Sequence, residues 1–203
     1  MAVKTLQDLF VHALSDVYSA EKQLTKALPK LARASTNPKL AEAFKNHLEE
    51  THGQIARIDQ VVESSGVKLK RMKCAAMEGL CEEAQEVIDE VEKGPVLDAA
   101  LIGAAQKAEH YEIATYGTLA ALARQLGFTE AATLLLATLD EEKSTDEKLT
   151  LIAEQGGNQE AAAVTDTPET AKKSGAVKKS GAVKKAGAAK KSGTAKKSEA
   201  EEK

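Results

Sequence analysis

The stretch LSDVYSAEKQLTKAL, residues 14–28, decides the fold. Leu14, Val17, Leu24 and Leu28 recur at helical spacing and share one face. Glu21 lies four residues after Val17 and seven before Leu28, at the centre of that apolar face. A lone carboxylate in such a place is very costly, so something must compensate it.

Working outward, the punctuation is that of a set of helices. Thr5-Leu-Gln-Asp8 is a capping-box start, and apolar residues then recur from Phe10 to Leu31. Asn37-Pro38 supplies an N-cap and a proline at the first helical position of a second helix, which runs to Gly66. A shorter helix spans roughly 74–93 and ends at Gly94. Pro95 opens a third long helix that stops near Gly127, Thr129 caps a fourth, and Gly156-Gly157 ends it. No segment alternates with period two, so no sheet is expected. Aromatic residues make up 3% of the chain and Trp is absent, which argues against a sandwich, a barrel or a base-stacking module. Four long helices with a short one in the central crossover predict an all-α, ferritin-like four-helix bundle over residues 1–157.

The other long helices repeat the anomaly of Glu21. On the third, Leu101, Ala105, Ala108, Tyr116 and Leu119 mark the inner face, with Glu112 in its middle and Glu109 one turn before. On the fourth, Leu135, Thr138, Leu149 and Ala153 enclose Glu142, and Asp146 follows one turn later. The second helix reads as a stripe of Phe44, Leu48, Thr51, Ile55 and Ile58. His47 lies inside that stripe and Glu50 at its edge, so the pair His47/Glu50 is preferred as ligands. Glu49-Glu50-Thr51-His52 also holds a Glu-x-x-His spacing, which keeps Glu49/His52 as the alternative. The stripes contain no Lys or Arg to pair these acids. Converging carboxylates repel, and bound cations would keep them ionised. Oxygen-rich ligands with one imidazole suit iron, or manganese, better than zinc or copper(I). The metal candidates are therefore Glu21, His47, Glu50, Glu109, Glu112, Glu142 and Asp146.

Cys74 and Cys81 lack metal-knuckle spacing and read as small buried hydrophobes on one face of the crossover helix. His12 and His110 fall on outward faces. Tyr116, four residues after Glu112, packs in the core or hydrogen-bonds a ligand.

The net charge of −3 averages two different polymers. Residues 1–157 carry 17 Lys+Arg against 25 Asp+Glu, and residues 158–203 carry 11 Lys against 6 acids. The hexamer Lys-Lys-Ser-Gly-Ala-Val starts at Lys172 and Lys178, with degenerate copies from Lys184, Lys190 and Lys196. Such a tail has too little apolar surface to offset its ordering entropy, so disorder is expected over 158–203. Its paired lysines (Lys172, Lys173, Lys178, Lys179, Lys184, Lys185, Lys190, Lys191, Lys196 and Lys197) could neutralise DNA phosphates without sequence preference. No apolar run is long enough for a membrane span and no signal-peptide core opens the chain. A cytoplasmic location, with no membrane partner, is the expectation.

The stretches LSDVYSAEKQLTKAL (14–28), HLEETHGQIARIDQVVE (47–63), KRMKCAAMEGL (70–80), AEHYEIATYGTLA (108–120) and LDEEKSTDEKLT (139–150) closely resemble the YciF family of bacterial stress proteins. The resemblance covers roughly residues 3–156, and that family is similar to rubrerythrin-like ferritin-fold proteins. It implies a helical bundle, a homodimer and a di-iron centre; the acids set within the apolar stripes add the expectation that the metals react with peroxide or oxygen. It places ligands at Glu21, Glu50, Glu109, Glu112 and Glu142. One departure stands out: rubrerythrin-like sites carry a second Glu-x-x-His on the last helix, whereas Thr145 stands three residues after Glu142 here.

Overall fold

The computed structural model describes residues 3–165. The Lys-rich repeats lie outside the described residues, and the disorder expected from residue 158 is overturned at its start, where Asn158–Ala162 is helical. Five principal helices appear: α1 (Leu6–Ala34), α2 (Pro38–Ser65), α3 (Ala75–Glu90), α4 (Pro95–Gln125) and α5 (Thr129–Ile152). There is no strand among the described residues.

The helix starts follow local chemistry. Thr5 and Asp8 close a reciprocal capping box, with Asp8 N 3.0 Å from Thr5 Oγ1. Asn37 Oδ1 accepts from Lys39 N at 2.9 Å, and Pro38 follows it at the first helical position. Gly66 ends α2 in the left-handed region, with φ of 66°. Three boundaries differ from expectation. Thr129 is the first helical residue rather than the cap, because Phe128 takes the cap position and packs its ring on Phe10 at 5.7 Å. The crossover helix starts at Ala75 and stops at Glu90, with Cys74 as its N-cap. The chain does not end its helical course at Gly156-Gly157: it kinks there, with Gly156 at φ 141°, and resumes as α6 (Asn158–Ala162).

Two apolar clusters show how the helices run. One joins the start of α1 (Phe10, Leu14), the end of α2 (Ile58, Val61), the end of α4 (Leu119, Ala123) and the start of α5 (Leu135). The other joins Leu28 and Leu31 of α1, Leu40 and Phe44 of α2, Leu101 of α4 and Leu149 of α5. Helix α1 therefore runs parallel to α5 and antiparallel to α2 and α4. The connection from α2 to α4 must traverse the bundle, and it does so along α1. Lys70 N donates to Ser15 Oγ at 2.9 Å, Cys74 N donates to Ser19 Oγ at 3.0 Å, and Gln23 Nε2 donates to the Cys74 carbonyl at 3.0 Å. Helix α3 completes the crossover against α1 and α4. This is the ferritin-like four-helix bundle, with its extra helix in the central connection.

At the α1–α2 turn, buried Asp98 accepts from Thr36 N at 2.7 Å, Asn37 N at 2.9 Å and the Thr36 hydroxyl. It ties the turn to the first turn of α4.

Candidate metal centre

Between the two apolar clusters, each long helix turns polar side chains inward. Helix α1 supplies Glu21, α2 supplies His47, Thr51 and Gln54, α4 supplies Glu109 and Glu112, and α5 supplies Thr138 and Glu142. All are buried, and Glu21, Glu112 and Glu142 are 0% exposed. One ligand-capable atom from each of His47, Glu109, Glu112 and Glu142 lies within 4.8 Å of the others. His47 Nε2 is 3.2 Å from Glu109 Oε1 and 4.0 Å from Glu142 Oε2.

Glu21 stands beside this group. The Tyr116 hydroxyl donates to its Oε1, and the charge of Glu142 acts on it. Burial, then Glu142, pushes the Glu21 carboxyl up to about 8. Burial also drives Glu112 and Glu109 well above the carboxylate range, and raises Glu142. Glu21 Oε2, both oxygens of Glu112, Glu109 Oε2, Glu142 Oε2 and both nitrogens of His47 have no hydrogen-bond partner. Buried polar atoms are almost always paired, so this many orphans in one place calls for cations. The donor set of carboxylates and one imidazole fits iron or manganese.

Other predicted ligands fall differently. Glu50 sits at the rim, where Thr145 Oγ1 donates to its Oε2 at 3.2 Å and Lys148 Nζ to its Oε1 at 3.4 Å. Its Oε2 is 3.5 Å from His47 Nδ1. That contact, with Lys148, holds its carboxyl down to about 2 against partial burial. The pair His47/Glu50 thus links the centre to the surface between α2 and α5. Asp146 is not brought into the cluster. It accepts from Gln106 Nε2 at 3.1 Å and faces exposed His110 at 3.5 Å, because it lies a turn beyond Glu142 on the flank toward α4. Glu49 and His52 are exposed, and the alternative Glu-x-x-His pair is not brought into the buried cluster.

Sequence reasoning missed Gln54 and its support. Gln54 Nε2 donates to buried Glu142 Oε1 and reaches Glu141 Oε2 at 3.2 Å. Glu141 in turn receives a two-pronged Arg57 guanidinium at 2.7 Å on each oxygen, and Arg57 also donates to Thr138 Oγ1 at 2.8 Å. The signal was present: Gln54 is three residues after Thr51 and four before Ile58, a polar residue in an apolar stripe. Cys74 is likewise more than an apolar filler. Its thiol lies 3.1 Å from both Asp16 Oδ2 and Tyr111 Oη, and it caps α3 through Met77 N. Cys81 is partly buried in the apolar contacts of α3.

Comparison with known proteins agrees with this architecture. Residues 5–162 match a family described as a domain of unknown function, DUF892. Protein YciF of Escherichia coli K12 is 67% identical over 162 residues, which span 79% of this chain and 98% of that protein. The chain belongs to the YciF family. The crystal structure of the E. coli stress protein YciF superposes on this YciF-family chain with a TM-score of 0.75 at 68% identity, covering 77% of this chain and 98% of that one. YcfI of Rhodopseudomonas palustris superposes with a TM-score of 0.71 at 46% identity, covering 73% and 94%. Among the described residues, no helix of this YciF-family bundle is long and apolar enough to cross a membrane.

Proposed function

We propose that the bundle holds two metal ions, iron in the first place and manganese as the alternative, and reacts with hydrogen peroxide or dioxygen. The observation behind this reading is the convergence of Glu109, Glu112, Glu142 and His47 within 4.8 Å, with their ligand-capable atoms left unpaired. Glu21 completes the carboxylate set from α1, and Glu50 reaches the His47 side from the rim. Two ferrous ions would supply the two electrons that reduce peroxide to water. The protein's own residues do the rest. Burial between two apolar clusters excludes bulk water. Gln54 orients Glu142, and the Arg57–Glu141 pair holds Gln54 from outside. The Tyr116 hydroxyl fixes Glu21. Outer contacts of this kind hold ligands in register. The homodimer belongs to the same proposal.

The test is metal analysis of untagged full chain after anaerobic iron loading, followed by rapid mixing with peroxide or with oxygenated buffer. About two irons per chain and a faster ferrous oxidation than free iron support the reading. Loading below about 0.3 metal per chain counts against it.

The charge reversal at residue 158 favours a second role for the tail, non-specific DNA binding through its paired lysines. Replacing those lysines by Gln in the full chain should then abolish or sharply weaken duplex binding. Unchanged binding would reject that role.

A further inference from the structure

The bundle is acidic as a whole, yet its charges are sharply sorted. From Lys22 to Ala34 there is no acid, and Lys22, Lys26, Lys30 and Arg33 follow at intervals of four, four and three. Such spacing puts all four on one face of α1. At 1.5 Å per residue the row is about 16 Å long. From Ser64 to Met77 there is again no acid, and Lys68, Lys70, Arg71 and Lys73 follow closely. The hydrogen bonds from Lys70, Cys74 and Gln23 that hold the crossover on α1 bring the two segments together. All eight cations are exposed. They are nearly half of the 17 Lys and Arg in residues 1–157, while the other nine face 25 acids.

Between the two rows lies a groove of about 480 Å³, lined by Lys22, Lys26, Lys70, Arg71 and Lys73, with Tyr18 beneath Lys22 at 4.4 Å. A second hollow of about 260 Å³ continues past Lys26 and Lys73 to Lys30. Few of these cations are spent on internal pairs: Lys73 meets Glu78, and Lys30 meets the Gln85 amide.

We propose that this face binds the phosphate backbone of nucleic acid, independently of the Lys-rich tail and of any metal. Sorted like charges repel one another, and a chain keeps them together at a cost that a polyanion offsets by releasing its counterions. A second copy is a poor occupant, because a two-fold contact would set the basic face against itself. A membrane is also a poor occupant, since the rows carry no exposed large apolar residue to insert. With a single tyrosine and no fork of arginines against base edges, the face would contact backbone rather than read sequence.

The test uses full chain and a fluorescent duplex of about 20 base pairs, with anisotropy measured from 50 to 300 mM salt. The variant is Lys22→Gln, Lys26→Gln, Lys70→Gln and Arg71→Gln together. The control is Lys45→Gln, Lys107→Gln, Arg124→Gln and Lys143→Gln, four exposed cations elsewhere on the bundle. Circular dichroism checks that both keep their helices. If the proposal holds, the face variant binds at least about tenfold more weakly at 100 mM salt, and its log–log salt slope falls by about 3–4. The control should change little. Three results would overturn it: no binding by the unaltered chain at 50 mM salt, equal losses in variant and control, or no loss in the face variant. The last would leave binding to the tail alone. Phosphatidylglycerol vesicles that displace the duplex at equal phosphate would also overturn it, in favour of a lipid surface.

Discussion

Glu112→Leu should stabilise the metal-free protein and destabilise the loaded one. Glu112 is 0% exposed, and neither of its oxygens has a hydrogen-bond partner. Replacing a buried ionic group by an apolar residue of similar size gains about 1–4 kcal/mol. Two orphaned oxygens place Glu112 in the upper half of that range, so about 3 kcal/mol is expected. For a domain of this size each kcal/mol moves the Tm by about 2–4 °C, giving a rise of roughly 6–12 °C. Calorimetry of chelator-treated full chain measures this. After iron loading the order should invert, because the variant lacks a ligand. A metal-free variant with unchanged or lower Tm would refute the reasoning, since Glu112 would then be satisfied without a cation.

Three further outcomes follow from the same geometry. A carboxyl whose pKa is raised on folding stabilises the fold below its ordinary value and loses that contribution as pH rises to the folded value. For Glu21 the window runs from 4.5 to about 8, so metal-free Tm should fall between pH 5 and 8, while the loaded protein should hold steady. Arg57→Ala should weaken metal binding about 10- to 100-fold in a calorimetric titration, by freeing Glu141 and Gln54 from their hold on Glu142. Asp98→Ala should cost about 3 kcal/mol in urea unfolding, because it strips the α1–α2 turn of its buried acceptor.

The fold was legible because its punctuation is local. Thr5, Asn37-Pro38, Gly66 and Pro95 mark helix ends through chemistry that acts within a few residues. Where an end depends on tertiary packing, local reading erred: Phe128 occupies the cap position of α5 and rests its ring on Phe10, which lies far away in sequence. The centre was legible wherever a helix has an unambiguous apolar stripe, as around Glu21, Glu112 and Glu142. On α2 the inward face consists of Leu40, Phe44, His47, Thr51, Gln54, Ile58 and Val61. Three of those seven are polar because they face the centre, so ranking by hydrophobicity turned the stripe toward Leu48 and Ile55 and hid Gln54. Asp146 shows the opposite error: one turn beyond a core acid is enough to leave the core.

An anomalous-scattering map of an iron-soaked crystal probes the account at its root. Two peaks enclosed by Glu21, His47, Glu109, Glu112 and Glu142 are the predicted result. A map with iron only on the surface, and those five side chains drawn apart or bridged by water alone, would contradict it.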